Sequence, residues 1–326
     1  MARAIDTESA EKTESLKKKS PVGVVGTGLV GAGWAIVFAR GGHPVRLFDS
    51  VPSAAERAIE VIEDRVIGLA EHKLVDSPES ILENLSVAHS LESAVEDVAY
   101  VQESVFEQVE PKTKVLEALA GCLPPNAVVG SSSSGIPASK FTEHLSIRSR
   151  VLIVHPVNPP YLIPLVELVP APWSEISAVD FAEALMKSVG QSPIRLLKEV
   201  EGFVLNRLQG VLLREAWGLF NDGVASAEDI DRTVRDGLGY RWSFMGPFET
   251  IDLNAPGGIA DYARRLGPLY QAIDASRSHN EPWSESLIAR LESERRSALP
   301  FEQFAARAAW RDRKLMTFAT LKEKLV

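Results

Sequence analysis

Two groups of residues in this chain have types and spacings that can do chemistry. The first is Gly26-x-Gly28-x-x-Gly31, with Leu29 and Val30 inside it, directly after an apolar run at 22–25. In such a turn the first glycine makes the tight bend, and the second lets backbone N–H groups approach a pyrophosphate. The third lets the following helix close on the strand. The helix N-terminus adds partial positive charge for the phosphates. Asp49 stands 23 residues after Gly26, at the end of the next apolar run, 45–48. Its carboxylate there would accept hydrogen bonds from adenosine ribose hydroxyls and repel a 2′-phosphate, so NAD is expected rather than NADP. The alternative is that Asp49 is a turn residue ahead of Ser50 and Pro52.

The second group is His155 and Glu167, twelve residues apart. His155 ends the apolar run 151–154, and Glu167 lies inside a strand-like run, 164–169. A carboxylate in the middle of an apolar strand is costly unless paired. Pairing with His155 would satisfy it and raise the basicity of the imidazole. The alternative is a structural histidine and an edge-strand glutamate.

These groups need a scaffold, and the chain alternates apolar runs with helical spacing. Strands are expected at 22–25, 45–48, 100–101, 128–129, 151–154, 165–169 and 194–197, with helices at 29–41, 112–119 and 176–189. That alternation implies a parallel sheet with helices on both faces, an α/β, Rossmann-type doubly wound fold. His155 then falls at the carboxyl edge, where ligands bind in such sheets. After about residue 200 the strand signals stop, and 203–220, 227–236 and 282–296 read as helices. The expected organisation is a disordered tail at 1–20, an NAD-binding domain at 21–200 and an all-helical C-terminal domain at 201–326.

Composition limits the function classes. With 326 residues, 45% hydrophobic and 24% charged, the chain suits two domains of a soluble globular protein. A net charge of −9, with dispersed Lys and Arg, argues against a nucleic-acid partner. The longest apolar runs fall far short of the roughly 20 residues a bilayer requires, so no membrane association is expected. The single cysteine, Cys122, excludes an internal disulfide and points to a reducing compartment, the cytoplasm; it reads as a small buried hydrophobe. The tail lacks the apolar core of a secretory signal, and its Lys17-Lys18-Lys19 run reads as solvated. No metal is expected.

The segment His155-Pro-Val-Asn158-Pro-Pro-Tyr-Leu-Ile-Pro-Leu-Val-Glu167 resembles the signature of the 3-hydroxyacyl-CoA dehydrogenase family. Ser131-Ser-Ser-Ser134-Gly-Ile resembles its active-site serine turn, Gly202-Phe-Val-Leu-Asn206-Arg the segment opening its helical domain, and Met245-Gly-Pro-Phe-Glu249 a later one. The match runs from about Pro21 to the C-terminus. The resemblance implies NAD-dependent oxidation of a hydroxyl on the carbon beta to a carbonyl group, by a homodimer. By position, His155 would be the general base, Glu167 its orienting partner, and Ser134 and Asn206 hydrogen-bonding groups on the reacting oxygen. Asn158 would place the nicotinamide or its ribose, and Glu107 and Lys112 would line the cofactor cleft. Ser134 as a plain hydrophilic turn residue, and Asn206 as a helix-start polar residue, are the alternatives.

The substrate is expected to be a small molecule. A coenzyme A handle carries several negative charges and calls for clustered cations. Residues 52–75 instead hold Glu56, Glu60, Glu63, Asp64 and Glu71 against Arg57, Arg65 and Lys73. Segments 155–169, 237–254 and 310–312 are most similar to family members acting on L-gulonate, so a small 3-hydroxy acid of that kind is expected. Arg241, Tyr161 and Asn254 are candidate substrate contacts, although Tyr161 and Trp242 read equally as core or interface aromatics. The competing readings are a short-chain 3-hydroxyacyl-CoA dehydrogenase and a structural NAD-binding protein without turnover.

Overall fold

The computed structural model describes residues 19–277 and 281–322. The tail expected at 1–20 therefore lies outside the described residues, apart from Lys19 and Ser20. The first half of the chain runs β1 (Val22–Val25), α1 (Leu29–Arg40), β2 (Val45–Phe48), α2 (Ala54–Glu71), α3 (Pro78–Glu83), β3 (Leu85–Val87), α4 (Leu91–Val95), β4 (Tyr100–Glu103), α5 (Val109–Cys122), β5 (Val128–Ser131), α6 (Ser139–Thr142) and β6 (Val151–Pro156). It continues through β7 (Leu165–Pro170), α7 (Ile176–Ser188) and β8 (Ser192–Arg195), then helices alone: α8 (Leu205–Asn221), α9 (Ala227–Thr233), α10 (Gly239–Trp242), α11 (Pro247–Leu253), α12 (Gly258–Ser276), α13 (Glu285–Ala298) and α14 (Phe304–Lys322).

The strands form one sheet in the order β3-β2-β1-β4-β5-β6-β7-β8. Strand order reverses direction between β1 and β4, which puts a crevice outside their carboxyl ends. The turns that follow β1, β2, β4, β5 and β6 all open on that edge, because these strands are parallel. The sheet departs from the all-parallel expectation at one place. β7 runs antiparallel to β6, in a register that sets His155 opposite Glu167. The short β3 had no counterpart among the expected strands, since Leu85 and Val87 are only partly buried and Ser86 between them is exposed.

Each face of the sheet carries its own apolar core. On one, Trp34 and Phe38 of α1 pack with Ile62 and Leu69 of α2 and Met186 of α7. On the other, Leu116 and Leu119 of α5 pack with Phe141 of α6. Each such fully buried side chain stabilises the fold by about 1.5–3 kcal/mol relative to exposure. α1 is buried from Gly31 to Ala39, which its small residues allow: a Cβ on Gly33 would lie 2.7 Å from the Pro160 ring.

The chain divides into two compact units. One holds the described residues up to Asn206 together with those from Trp310 onward, and the other is Arg207–Ala309. The sequence shows its change of pattern near Gly202. It shows no sign that the last helix returns to the first unit, where Met316 joins the α1–α2 core and Thr320 donates to the His72 carbonyl. In the second unit α9 continues into a π-helical turn, Val234–Leu238, and Trp217 stacks on Trp283 at 4.4 Å. No helix among the described residues is long and apolar enough to cross a membrane.

Candidate active site

The turn after β1 has the constraints a dinucleotide cradle needs. Gly26 sits at φ +89°, where a Cβ would come within 2.6 Å of the Ser104 carbonyl oxygen. A Cβ on Gly31 would lie 1.9 Å from the Gly26 oxygen, so any side chain there would part α1 from the turn. Gly28, which caps α1, has nothing within 4 Å of its Cβ position and leaves the helix N-terminus open. Asp49 is held beside it. Its Oδ2 accepts from the Thr27 amide at 2.8 Å and the Thr27 hydroxyl at 3.0 Å, and its Oδ1 from the Val51 amide at 2.9 Å. Gly26, Gly28, Leu29, Val30 and Asp49 line a cleft of about 990 Å³. An open glycine, exposed helix N–H groups and a fixed acid fit the pyrophosphate and adenosine ribose of NAD.

A smaller cleft of about 220 Å³ shares Val30, Ser104 and Val105 with the first and is lined further by Glu107, Ser134, His155 and Asn158. His155 Nδ1 lies 2.7 Å from Glu167 Oε2. Because a carboxylate only accepts, the proton is assigned to Nδ1, leaving Nε2 with a free lone pair. Glu167 Oε1 accepts from the Val204 and Leu205 amides at 2.9 and 3.0 Å, at the start of α8. Burial raises the Glu167 carboxyl, but the His155 hydrogen bond and the two amides outweigh it and hold the group below its ordinary range. The Phe203 ring packs against the imidazole at 5.7 Å.

The serine turn after β5 is fastened by Glu107. Its Oε1 accepts from the Ser133 hydroxyl at 2.8 Å, the Ser134 amide at 2.8 Å, the Ser134 hydroxyl at 3.3 Å and the Gly135 amide at 3.1 Å. Burial pushes its carboxyl up, while Ser133, the Lys112 charge and the two amides bring it below its ordinary value. Lys112 itself is 1% exposed and lies against Glu103 Oε1 at 3.1 Å and Glu107 Oε2 at 3.5 Å. Glu103 also accepts from the Ser131 hydroxyl and from the Val105 amide. Lys112 thus faces two carboxylates beneath the turn and lines neither cleft. Asn206 donates from Nδ2 to the Ser134 carbonyl at 2.5 Å, which ties the start of α8 to the same turn.

The structure brings His155, Ser134, Glu107 and Asn158 to the lining of one small cleft, with Glu167 behind His155 and Asn206 bonded to the Ser134 carbonyl. Tyr161 is elsewhere: it is 4% exposed, belongs to the α1–α2 core and lies under the Arg65 guanidinium at 5.8 Å. Arg241 and Asn254 are exposed residues of the second unit. Sequence reasoning missed Thr27, Glu103 and Ser104. Thr27 lies inside the glycine motif, whereas Glu103 follows Gln102 two residues past the expected strand 100–101, so no apolar run marked it as Glu167 was marked.

A glycine cradle with its acid partner, on the carboxyl edge of a doubly wound sheet, defines an NAD-binding oxidoreductase domain. The chain belongs to the 3-hydroxyacyl-CoA dehydrogenase family, whose NAD binding domain matches residues 21–200 and whose C-terminal domain matches 202–303. Lambda-crystallin of Oryctolagus cuniculus is 39% identical over 307 residues, 93% of this chain and 96% of its own length. L-carnitine dehydrogenase of Streptomyces coelicolor is 36% identical over 279 residues, 84% of this chain and 83% of its own. Among solved structures, an NAD-dependent 5-formyl-3-hydroxy-2-methylpyridine 4-carboxylic acid 5-dehydrogenase superposes with a TM-score of 0.78 at 26% identity, covering 93% of this chain and 98% of that one. The chain is thus a member of a family of NAD-dependent dehydrogenases that act on CH–OH groups.

Proposed function

We propose that this protein oxidises the 3-hydroxyl of a small 3-hydroxy acid, with L-gulonate going to 3-dehydro-L-gulonate as the leading reaction. The observation that carries the reading is the His155–Glu167 pair at 2.7 Å, with His155 on the wall of a small cleft that shares Val30, Ser104 and Val105 with the dinucleotide cradle. NAD, when bound, accepts the hydride. Nε2 of His155 takes the hydroxyl proton, and Glu167, kept ionised by its amide donors, stabilises the imidazolium. The Ser134 hydroxyl, turned from its 3.3 Å contact with Glu107, and the second Nδ2 hydrogen of Asn206 donate to the reacting oxygen, while Glu107 keeps the serine turn in place through the Ser133 hydroxyl and the two amides. Asn158, at the rim of the small cleft, positions the nicotinamide riboside half, and Lys112 acts through Glu103 and Glu107.

The choice of a free acid over a thioester rests on α2, whose acids outnumber its cations, and on the resemblance of 155–169 and 237–254 to the sugar-acid branch of the family. The carnitine enzyme, a relative by sequence, acts by its name on a small 3-hydroxy acid. Tyr161 has no part in this reading, and Arg241 and Asn254 remain candidates for the substrate carboxylate and hydroxyls. Comparing NAD reduction with L-gulonate, L-carnitine, 3-hydroxybutyrate and 3-hydroxybutyryl-CoA tests it; a strong preference for the thioester selects the short-chain acyl-CoA reading instead.

The working molecule in this reading is a cytoplasmic homodimer. The single cysteine supports the compartment. Support for the dimer is the second unit, where Tyr240, Trp242, Phe244, Phe248 and Leu253 are exposed and very few described residues are buried.

A further inference from the structure

Ser104 follows β4 directly beneath the glycine cradle and lines both clefts, yet nothing in the proposed reaction uses its side chain. The hydrogen bonds behind it determine where its proton points. Ser132 Oγ is met by the Trp34 indole N–H at 3.2 Å and by Gln102 Nε2 at 2.8 Å. The indole nitrogen can only donate. The Gln102 amide is fixed as well, because its Nε2 also lies 3.4 Å from the Val154 carbonyl, which can only accept, while its Oε1 accepts from the Tyr100 hydroxyl at 2.6 Å. Tyr100 is fully buried, and burial pushes its phenol well above its ordinary value, so it stays a donor.

Both lone pairs of Ser132 are therefore taken. Its own hydrogen has one acceptor left among the described residues, Ser104 Oγ, at 2.8 Å. Ser104 accepts from Ser132, and no other hydrogen bond of its hydroxyl is seen among the described residues. Its proton is free to point into the junction of the two clefts. A hydroxyl that already accepts a hydrogen bond is also a better donor, through polarisation along the chain.

We infer that Ser104 is a cofactor-binding residue: its hydroxyl donates to an acceptor oxygen on the nicotinamide riboside half of NAD. The location gives the half of the molecule. Pyrophosphate belongs at the open Gly28 and the start of α1, and the reacting ring must reach the small cleft that holds His155, so the riboside crosses the wall formed by Val30, Ser104 and Val105. The acceptor is a ribose hydroxyl or the carboxamide oxygen, and the buried chain of Tyr100, Gln102 and Ser132 serves to aim the donor at it.

The inference rests on NAD being the cofactor, and binding measurements separate the two claims. Dissociation constants for NAD, ADP-ribose and ADP are measured by calorimetry on the wild type and on Ser104→Ala, with thermal melting as a check on folding. Loss of one neutral hydrogen bond weakens binding by about 3- to 10-fold. The expected result is that loss for NAD with ADP unchanged. ADP-ribose weakened alongside NAD assigns the bond to the ribose, and ADP-ribose unchanged assigns it to the carboxamide. Ser104→Cys, close in shape and a weaker donor, should move in the same direction, and it supplies the measurement if the alanine variant does not fold. Equal weakening of NAD and ADP, or no weakening of either, overturns the proposal. Failure of both to bind the wild type overturns the cofactor assignment with it.

Discussion

Glu167 shows how one side chain links stability to chemistry. Its two oxygens are divided between His155 and the amides that begin α8. A carboxyl held below its ordinary value contributes stability that is complete above pH 4.5 and is lost as pH falls through the lowered folded value. The melting temperature of the wild type should therefore drop on acidification below about pH 4.5, and Glu167→Gln should flatten that drop while lowering the rate of NADH formation by about 10²-fold or more. A Gln variant with the wild-type acid profile and rate would remove Glu167 from both roles. His155 and Glu167 were legible as a pair because a charge inside an apolar strand demands a partner. Glu103 gave no such signal, since it follows Gln102 beyond the expected strand 100–101, and helix-start lysines such as Lys112 are ordinarily solvated; only the folded chain shows this pair buried. Tyr161, inside the His155 signature, read equally as a substrate contact or a core aromatic, and its ring fills the core under Arg65.

Among the elements, the glycine turn was the most legible, since its constraints are local. Its three glycines nevertheless differ. Gly26→Ala forces a side chain into a left-handed conformation and against the Ser104 backbone, and should cost about 1–3 kcal/mol of stability. Gly28 has an ordinary φ of −65° and open space, so Gly28→Ala should melt as the wild type does while its NAD dissociation constant, followed by fluorescence titration, rises about tenfold or more. Wild-type NAD affinity in Gly28→Ala would show that the cofactor does not approach this backbone. The antiparallel turn of β7 was not legible. Strand direction leaves no trace in apolar periodicity, yet this reversal is what puts Glu167 opposite His155 in register. The hydroxyl chain behind Ser104 was hidden for a related reason, since it joins residues of α1, β4 and the β5 turn that only tertiary structure brings together.

Across the whole molecule, the change from alternating strands and helices to helices alone was legible from composition and period. The return of α14 to the first unit was not, because its amphipathic pattern does not say which surface it meets. The second unit leaves large aromatic side chains exposed, which the dimer proposal covers with a second copy of the chain. Sedimentation at micromolar concentration should give twice the chain mass, and a monomer at that concentration would refute the dimer. The central claim, that His155 in this fold removes the proton while NAD takes the hydride from a 3-hydroxy acid, is tested most directly by NADH formation from L-gulonate with the wild type and with His155→Ala, alongside NAD binding to both. The account predicts a rate lower by about 10²- to 10⁴-fold in the variant with unchanged NAD affinity; an undiminished rate in His155→Ala would contradict it.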